Sequence, residues 1–194
     1  MNSDLRARFD RAPKAELHVH LRGALPPGLW AELLNKYGVK QALDRASPRL
    51  REFWEQCPNL APFVSGKAWT EADLAGLWSY QTFDQFLGTY AFSGYFFREI
   101  DDFRRLVTEV LDDLAVQGIA YAEVIVSLPE YVMQGLPLPD LLAVLAEASH
   151  PRVKVGWLVD PVRNFGPEAA LKLLRAIGLS QPQPLVGLTL GGSE

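Results

Sequence analysis

Cysteine is almost absent from this sequence. Cys57 stands alone among 194 residues, so no internal disulfide framework holds the fold, and the usage fits a reducing, cytoplasmic setting. No apolar run approaches the roughly 18 residues needed to cross a bilayer, which excludes a helical membrane span from the expectation. Residues 1–12 alternate charge with small side chains and lack the apolar stretch of a secretory signal. A basic surplus is missing too: 19 Lys and Arg against 23 Asp and Glu give a net charge of −4, which argues against nucleic acid as the partner. Apolar residues are not scarce. At 48% hydrophobic and 22% charged, the chain is a folded soluble domain or a large part of one, not a solvated coil.

Hydrophobic patterning divides the chain into two parts. Residues 15–21 read as a strand ended by the Arg22-Gly23 turn, and residues 27–37 as a helix that starts near Pro27 and stops at Gly38. Between 39 and 77 prolines and glycines allow only short helical pieces, whereas 82–90 is aromatic with helical spacing. Residues 101–117 form a strong helix with an acidic first turn and Gly118 beyond its end. Strands then alternate with helices: 119–127, 153–159 and 185–190 as strands, 138–149 and 167–177 as helices.

The later strands begin at 119, 153 and 185, so successive units repeat every 34 and 32 residues. Alternation of this kind implies parallel βαβ units. A closed eightfold barrel averages about 31 residues per unit, although open doubly wound sheets share the rhythm. Four strands are half of what a barrel needs. The sequence therefore encodes either an open four-stranded sheet or part of a larger barrel.

His18-Val19-His20 is the sharpest chemical feature. Alternate strand residues share a face, which puts both imidazoles on one side about 6.5 to 7 Å apart along the strand. They also stand at the carboxyl end of the first strand, where α/β barrels build their sites. Such a pair suits zinc or a similar ion. Two polar residues facing out of a half-buried strand would give the same pattern. His150 reads as plain surface, Cys57 as unactivated, and Trp54, Trp69 and Trp78 as core of a helical layer. Glu123 and Asp160 lie near strand ends and read as structural, Asp160 opening an Asp-Pro turn.

The run KAELHVHLRGA at residues 14–24, followed by Pro26-Pro27, closely resembles the opening motif of the adenosine deaminase family, Lys-x-Glu-Leu-His-x-His-Leu-Asp-Gly-(Ser/Ala). TFDQFL at 82–87 is similar to that family's helix over the purine site. YAEV at 121–124 resembles its second-strand Tyr-x-Glu-x-Arg segment, with Ile125 in place of arginine. LVGLTLGGSE at 185–194 is similar to its fourth strand, which usually ends Asp-Leu-Ala-Gly-x-Glu.

This resemblance implies the N-terminal half of a (β/α)8 barrel, as a single partial domain over 1–194 with a helical insertion at 38–118 between the first two strands. It implies a zinc-dependent aminohydrolase acting on an aminopurine nucleoside, with His18 and His20 as metal ligands and His20 also beside the substrate. Gly192 would offer backbone contact to the purine, and Phe83 and Phe86 would cover it. The family's third histidine ligand, proton-shuttling glutamate, further histidine and aspartate ligand belong to the barrel's second half, roughly 125 residues more. The expectation is a chain that ends before them, without turnover on its own, and that self-associates through an open barrel edge.

Departures from the family bear on substrate. Arg22 replaces an aspartate that contacts the ribose 5′ side, which reverses the chemistry from acceptor to donor. An anionic 5′ extension, as in aminodeoxyfutalosine, would suit it; pairing with a nearby Glu or Asp is the other reading. Thr189 and Ser193 also depart from the pattern. A different metal-dependent amidohydrolase or phosphoesterase, and a non-catalytic truncated barrel, are the alternatives to the deaminase.

Overall fold

The computed structural model describes residues 7–9, 12–60, 63, 68–78, 80–180 and 185–192. Its frame is one sheet of four parallel strands in the order β1-β2-β3-β4: β1 Lys14–His20, β2 Ile119–Val126, β3 Lys154–Val159 and β4 Leu185–Leu188. Each strand is joined to the next through helix, as parallel pairing requires. The expected alternation is therefore present, with strand ends shifted by one or two residues. Leu21 leaves β1 to open a 3₁₀ turn over Leu21–Ala24, and β4 stops at Leu188, although the Thr189 N–H still donates to the Val159 carbonyl.

Nine α-helices follow in chain order among the described residues: α1 Pro27–Tyr37, α2 Val39–Arg45, α3 Pro48–Glu55, α4 Glu71–Leu74, α5 Phe83–Ser93, α6 Ile100–Val116, α7 Leu128–Met133, α8 Leu138–Glu147 and α9 Gly166–Ser180. No described helix is long and apolar enough to cross a membrane.

The strongest helix shows why the sequence folds as it does. In α6, Phe103, Leu106, Val107, Val110, Leu111 and Leu114 recur at three- and four-residue intervals and form one buried stripe. Glu99 and Asp102 close a reciprocal capping box at its start, and Gly118 adopts φ +76° just beyond its end. Buried Asp102 also receives hydrogen bonds from Tyr37 Oη and from Lys36 Nζ at 2.9 Å, which clamps α1 to α6.

The layer between β1 and β2 packs through aromatic rings. Phe63 stacks on Trp69 at 4.2 Å, Trp30 meets Trp78 at 5.2 Å, and Trp54 meets Phe92 at 5.1 Å. Trp54, Trp69 and Trp78 are thus packing residues, as expected, and Trp30 joins them. His150 is not plain surface: it is half-buried, lies 3.3 Å from Asp112, and its Nδ1 accepts from the Arg152 N–H. A loop histidine next to proline can still fold back onto a neighbouring helix, which its local sequence does not reveal.

The sheet's two faces differ. Val124 and Val126 of β2 and Val155, Trp157 and Val159 of β3 are buried, and the Trp157 indole N–H donates to the Leu145 carbonyl of α8, so this face carries the helices. The alternating residues face the other way. His20, Ile125 and Leu158 occupy one row across β1, β2 and β3, and that row lies at the carboxyl ends of the strands.

Candidate active site at the strand ends

His18 and His20 sit two residues apart on β1 and so share a face. Their ring centroids are 5.2 Å apart at 63°, closer than the strand repeat because the rings lean together. His18 is exposed and His20 half-buried. Burial, then the neighbouring His18 ring, lowers the His20 pKa from its ordinary value, while Asp160 acts in the opposite sense. A neutral imidazole is the form that can offer a lone pair to a metal.

The histidines line a groove of about 420 Å³ together with Glu16, Gly23, Phe86 and Tyr90. The Tyr90 ring stands edge-on to His20 at 6.3 Å and lies 6.0 Å from Phe86. Thr82 caps α5 by accepting from the Gln85 N–H at 3.3 Å, and this fixes the helix that carries both rings. Phe83, one turn earlier, is 70% exposed and packs on Phe86 at 5.9 Å without lining the groove.

Arg22 is placed differently from the histidines. Only 4% exposed, it pairs with Glu130 at 2.9 Å and lies over the Tyr90 ring at 4.0 Å. Burial works against its charge, but Glu130 together with Tyr90 and Tyr131 more than offsets this and keeps the guanidinium protonated. It lines a separate pocket of about 130 Å³, beside Gly94, where a Cβ would come within 2.8 Å of Arg22 Nη1. Of the two readings of Arg22, pairing with an acidic neighbour describes its placement.

At the other end of the rim Gly192 has φ +117°, and a side chain there would run into Asn164 Oδ1. Only glycine suits both demands. Gly191 is equally confined, its Cβ position lying 2.7 Å from Asp160 Oδ2. Ser193 and Glu194, the end of the fourth motif, fall outside the described residues.

Sequence reasoning overlooked Tyr90, Ser127 and Asp160 as parts of this rim. Asp160 is buried, accepts from Ser127 Oγ at 3.1 Å, from the Val162 N–H at 2.9 Å and from the Gly191 N–H at 3.0 Å. Its place immediately after β3 was the available signal, since barrel sites are built there. Among the described residues no group of three or more His, Cys, Asp or Glu side chains is arranged to hold a metal. The imidazole pair fits zinc as two donors of a set that ordinarily has three protein ligands or more.

No protein-family model matches the chain. Curated relatives do. The chain is 28% identical over 186 residues to an adenine deaminase of Rhizobium meliloti, covering 93% of this chain and 49% of that protein. It is 26% identical over 202 aligned positions to adenosine deaminase 1 of Streptomyces coelicolor, covering 96% and 44%. It is also 27% identical over 191 residues to an aminodeoxyfutalosine deaminase of Acidothermus cellulolyticus, covering 95% and 46%. The chain thus spans about half the length of the curated relatives it matches.

Among solved structures, a zinc-bound amidohydrolase from Burkholderia ambifaria superposes with a TM-score of 0.74 at 19% identity, covering 100% of this chain and 48% of that one. An adenine deaminase of Arthrobacter aurescens gives 0.68 at 20%, covering 94% and 49%. The four-stranded sheet with its helices accordingly has the fold of the N-terminal half of these barrels. The resemblance first carried by residues 14–24 to deaminases extends over more than nine-tenths of the chain.

Proposed function

We propose that this chain supplies the β1–β4 side of a zinc-dependent site for hydrolytic deamination of a 6-aminopurine such as adenine or adenosine. One observation carries the reading: His18 and His20 lean together on one face at the carboxyl end of β1, and His20 is held toward its neutral form. Relatives named adenine and adenosine deaminases support it. Zinc in such a site lowers the pKa of a bound water, so that hydroxide is available near neutral pH.

The chain's own residues do the rest of what this half contributes. His18 and His20 would hold the metal through neutral nitrogens. Phe86 and Tyr90 form an apolar wall on which a purine face can lie. Phe83, one turn away on the same helix, would reach a substrate only as an outer cover. The Gly191-Gly192 backbone, without side chains to block approach, would contact the base.

Arg22 bears on the sugar side. Its charge is already matched by Glu130, so an anionic 5′ extension would have to displace that carboxylate from a buried pair. This supports a substrate neutral on its 5′ side over a carboxylate-bearing nucleoside of the aminodeoxyfutalosine type. We read the 194-residue chain by itself as a zinc half-site without turnover, in a cytoplasmic protein, and as self-associating along its open strands.

Zinc content of the purified chain, compared with a His18→Ala/His20→Ala variant, tests the reading. Zinc bound by the parent and lost in the variant is the expected result. Equal zinc in both, or none in the parent at saturating metal, would remove the histidine pair as a metal site. Adenine and adenosine turnover assayed on the same samples should stay at background.

A further inference from the structure

Two residues of the first motif meet the same aromatic ring. Tyr90 of α5 stands edge-on to His20 at 6.3 Å, and the Arg22 guanidinium lies over the Tyr90 ring at 4.0 Å. Arg22 belongs to the 3₁₀ turn that leaves β1, its partner Glu130 to α7, and Gly94 directly follows α5. Three elements therefore close around one guanidinium, which is only 4% exposed.

The contacts of that guanidinium show what holds it. It has five N–H donors in a planar fork, which can engage a carboxylate through two parallel bonds. Here Glu130 is met through a single nitrogen, Nη1, at 2.9 Å, and the buried Nε has no hydrogen-bond partner. The planar face is better used than the fork. It rests on the negative face of the Tyr90 ring, an attraction that gains strength where water is excluded. Gly94 leaves the room for this, because a Cβ there would come within 2.8 Å of Arg22 Nη1. An aspartate at position 22, as in the motif that residues 14–24 resemble, would set a carboxylate against both the ring face and Glu130. The departure at residue 22 and the Glu130 carboxylate are thus two halves of one arrangement.

We propose that Arg22 is a positioning residue that holds the Tyr90 ring beside His20 by stacking on it, with Glu130 as the anion that keeps the guanidinium in place. The inference deepens the deaminase reading and rests on it in one respect, that Tyr90 is part of the wall on which a purine lies. Arg22 itself touches neither metal nor base. In this account the residue has moved from contacting the substrate to supporting a side chain that does.

Ring and guanidinium signals, recorded by NMR on the metal-free 194-residue chain, test this. In the parent the Arg22 Hε signal should lie upfield, shielded by the Tyr90 ring, and Tyr90→Leu should return it to its ordinary position. Arg22→Lys keeps the charge and its pairing with Glu130 but loses the planar face. It should shift the Tyr90 ring signals and weaken the Tyr90–His20 ring Overhauser contact at least twofold. Unchanged Tyr90 signals in Arg22→Lys overturn the proposal, because the ion pair alone would then account for Arg22. Shifts spread evenly over β1, α5 and α6 overturn it too, since Arg22 would then support the fold at large. Should Arg22→Lys fail to fold, the parent decides: an upfield Hε supports the stack, and an ordinary one overturns it. None of these readouts uses zinc, purine or turnover. Failure of the purine-wall reading shows separately, as Tyr90 signals in the parent that added adenine does not move.

Discussion

The middle strands and the outer strands of this sheet are built to different standards. On β2 and β3, Val124, Val126, Trp157 and Val159 are essentially inaccessible, packed beneath helices. On β1 and β4, Leu17, Val186 and Leu188 are each more than half exposed. Among the described residues β1 and β4 are each paired on one side only, whereas β2 and β3 are paired on both. The site is divided along the same line. Asp160 follows a middle strand with both carboxylate oxygens engaged, whereas the histidine pair sits on an outer one, with His18 exposed. The histidine pair thus lies on the less constrained strand, and the fully bonded Asp160 beside a more constrained one.

The contrast breaks most visibly when one core side chain is removed. Trp157→Ala should destabilise the chain by about 3 to 5 kcal/mol through the cavity it leaves, with the indole bond to Leu145 lost as well. That is a large part of the total stability of an ordinary domain. Leu17→Ala on β1 should cost about 0.5 kcal/mol or less. Urea midpoints of the two variants check the pair; similar shifts would show that the outer strand is packed after all.

Next in size comes Asp102, which clamps α1 onto α6. Burial alone would raise its pKa, but hydrogen bonds from Tyr37 and Lys36 and from the Glu99 and Arg98 amides more than offset this and leave it below 3.8. A carboxyl with a depressed folded pKa adds stability above its unfolded pKa, and loses it as pH falls through the folded value. Asp102→Asn should cost about 2 kcal/mol at pH 7, and it should flatten the acid limb of a stability–pH curve below about pH 4. A curve whose acid limb is unchanged in Asp102→Asn would refute the clamp's electrostatic part.

The outer strands make a prediction about association. Studied as 194 residues, the chain should gain mass with concentration in sedimentation experiments, because Leu17, Val186 and Leu188 lie exposed on β1 and β4. Leu17→Lys with Leu188→Lys should return it toward the monomer. No change on substitution would place the contact elsewhere.

How much of this could be read from the sequence depends on how local the cause is. The α6 helix was legible because its stripe, acidic first turn and terminal glycine lie within one short stretch. The shared face of His18 and His20 was legible because strand alternation fixes it. Arg22 was not, because whether a guanidinium faces substrate or a carboxylate depends on Glu130, far along the chain. Phe83 and Phe86 have the same chemistry and helical spacing, and only the packing of α5 against β1 decides that Phe86 lines the groove. Asp160 read as a turn residue because its bonds to Ser127 and Gly191 cross 33 and 31 positions. Periodicity reports elements; it does not report which side chains meet at a rim.

The smallest effect tests whether the outer strand is as loosely held as its exposure implies. His20 has its pKa lowered from 6.5 by burial and by His18, so the unfolded chain binds more protons than the folded one just below neutrality. Stability should therefore fall as pH drops from about 6.5 toward the folded value, and level off beneath it. The loss should be well under that seen at the Asp102 limb, because His20 is only half-buried and solvent screens its neighbours. His20→Asn should remove this shallow slope and leave the acid limb intact. If His20→Asn instead weakens the fold as much as Asp102→Asn does, β1 is integral to the core, and the division between middle and outer strands fails where the histidine pair sits.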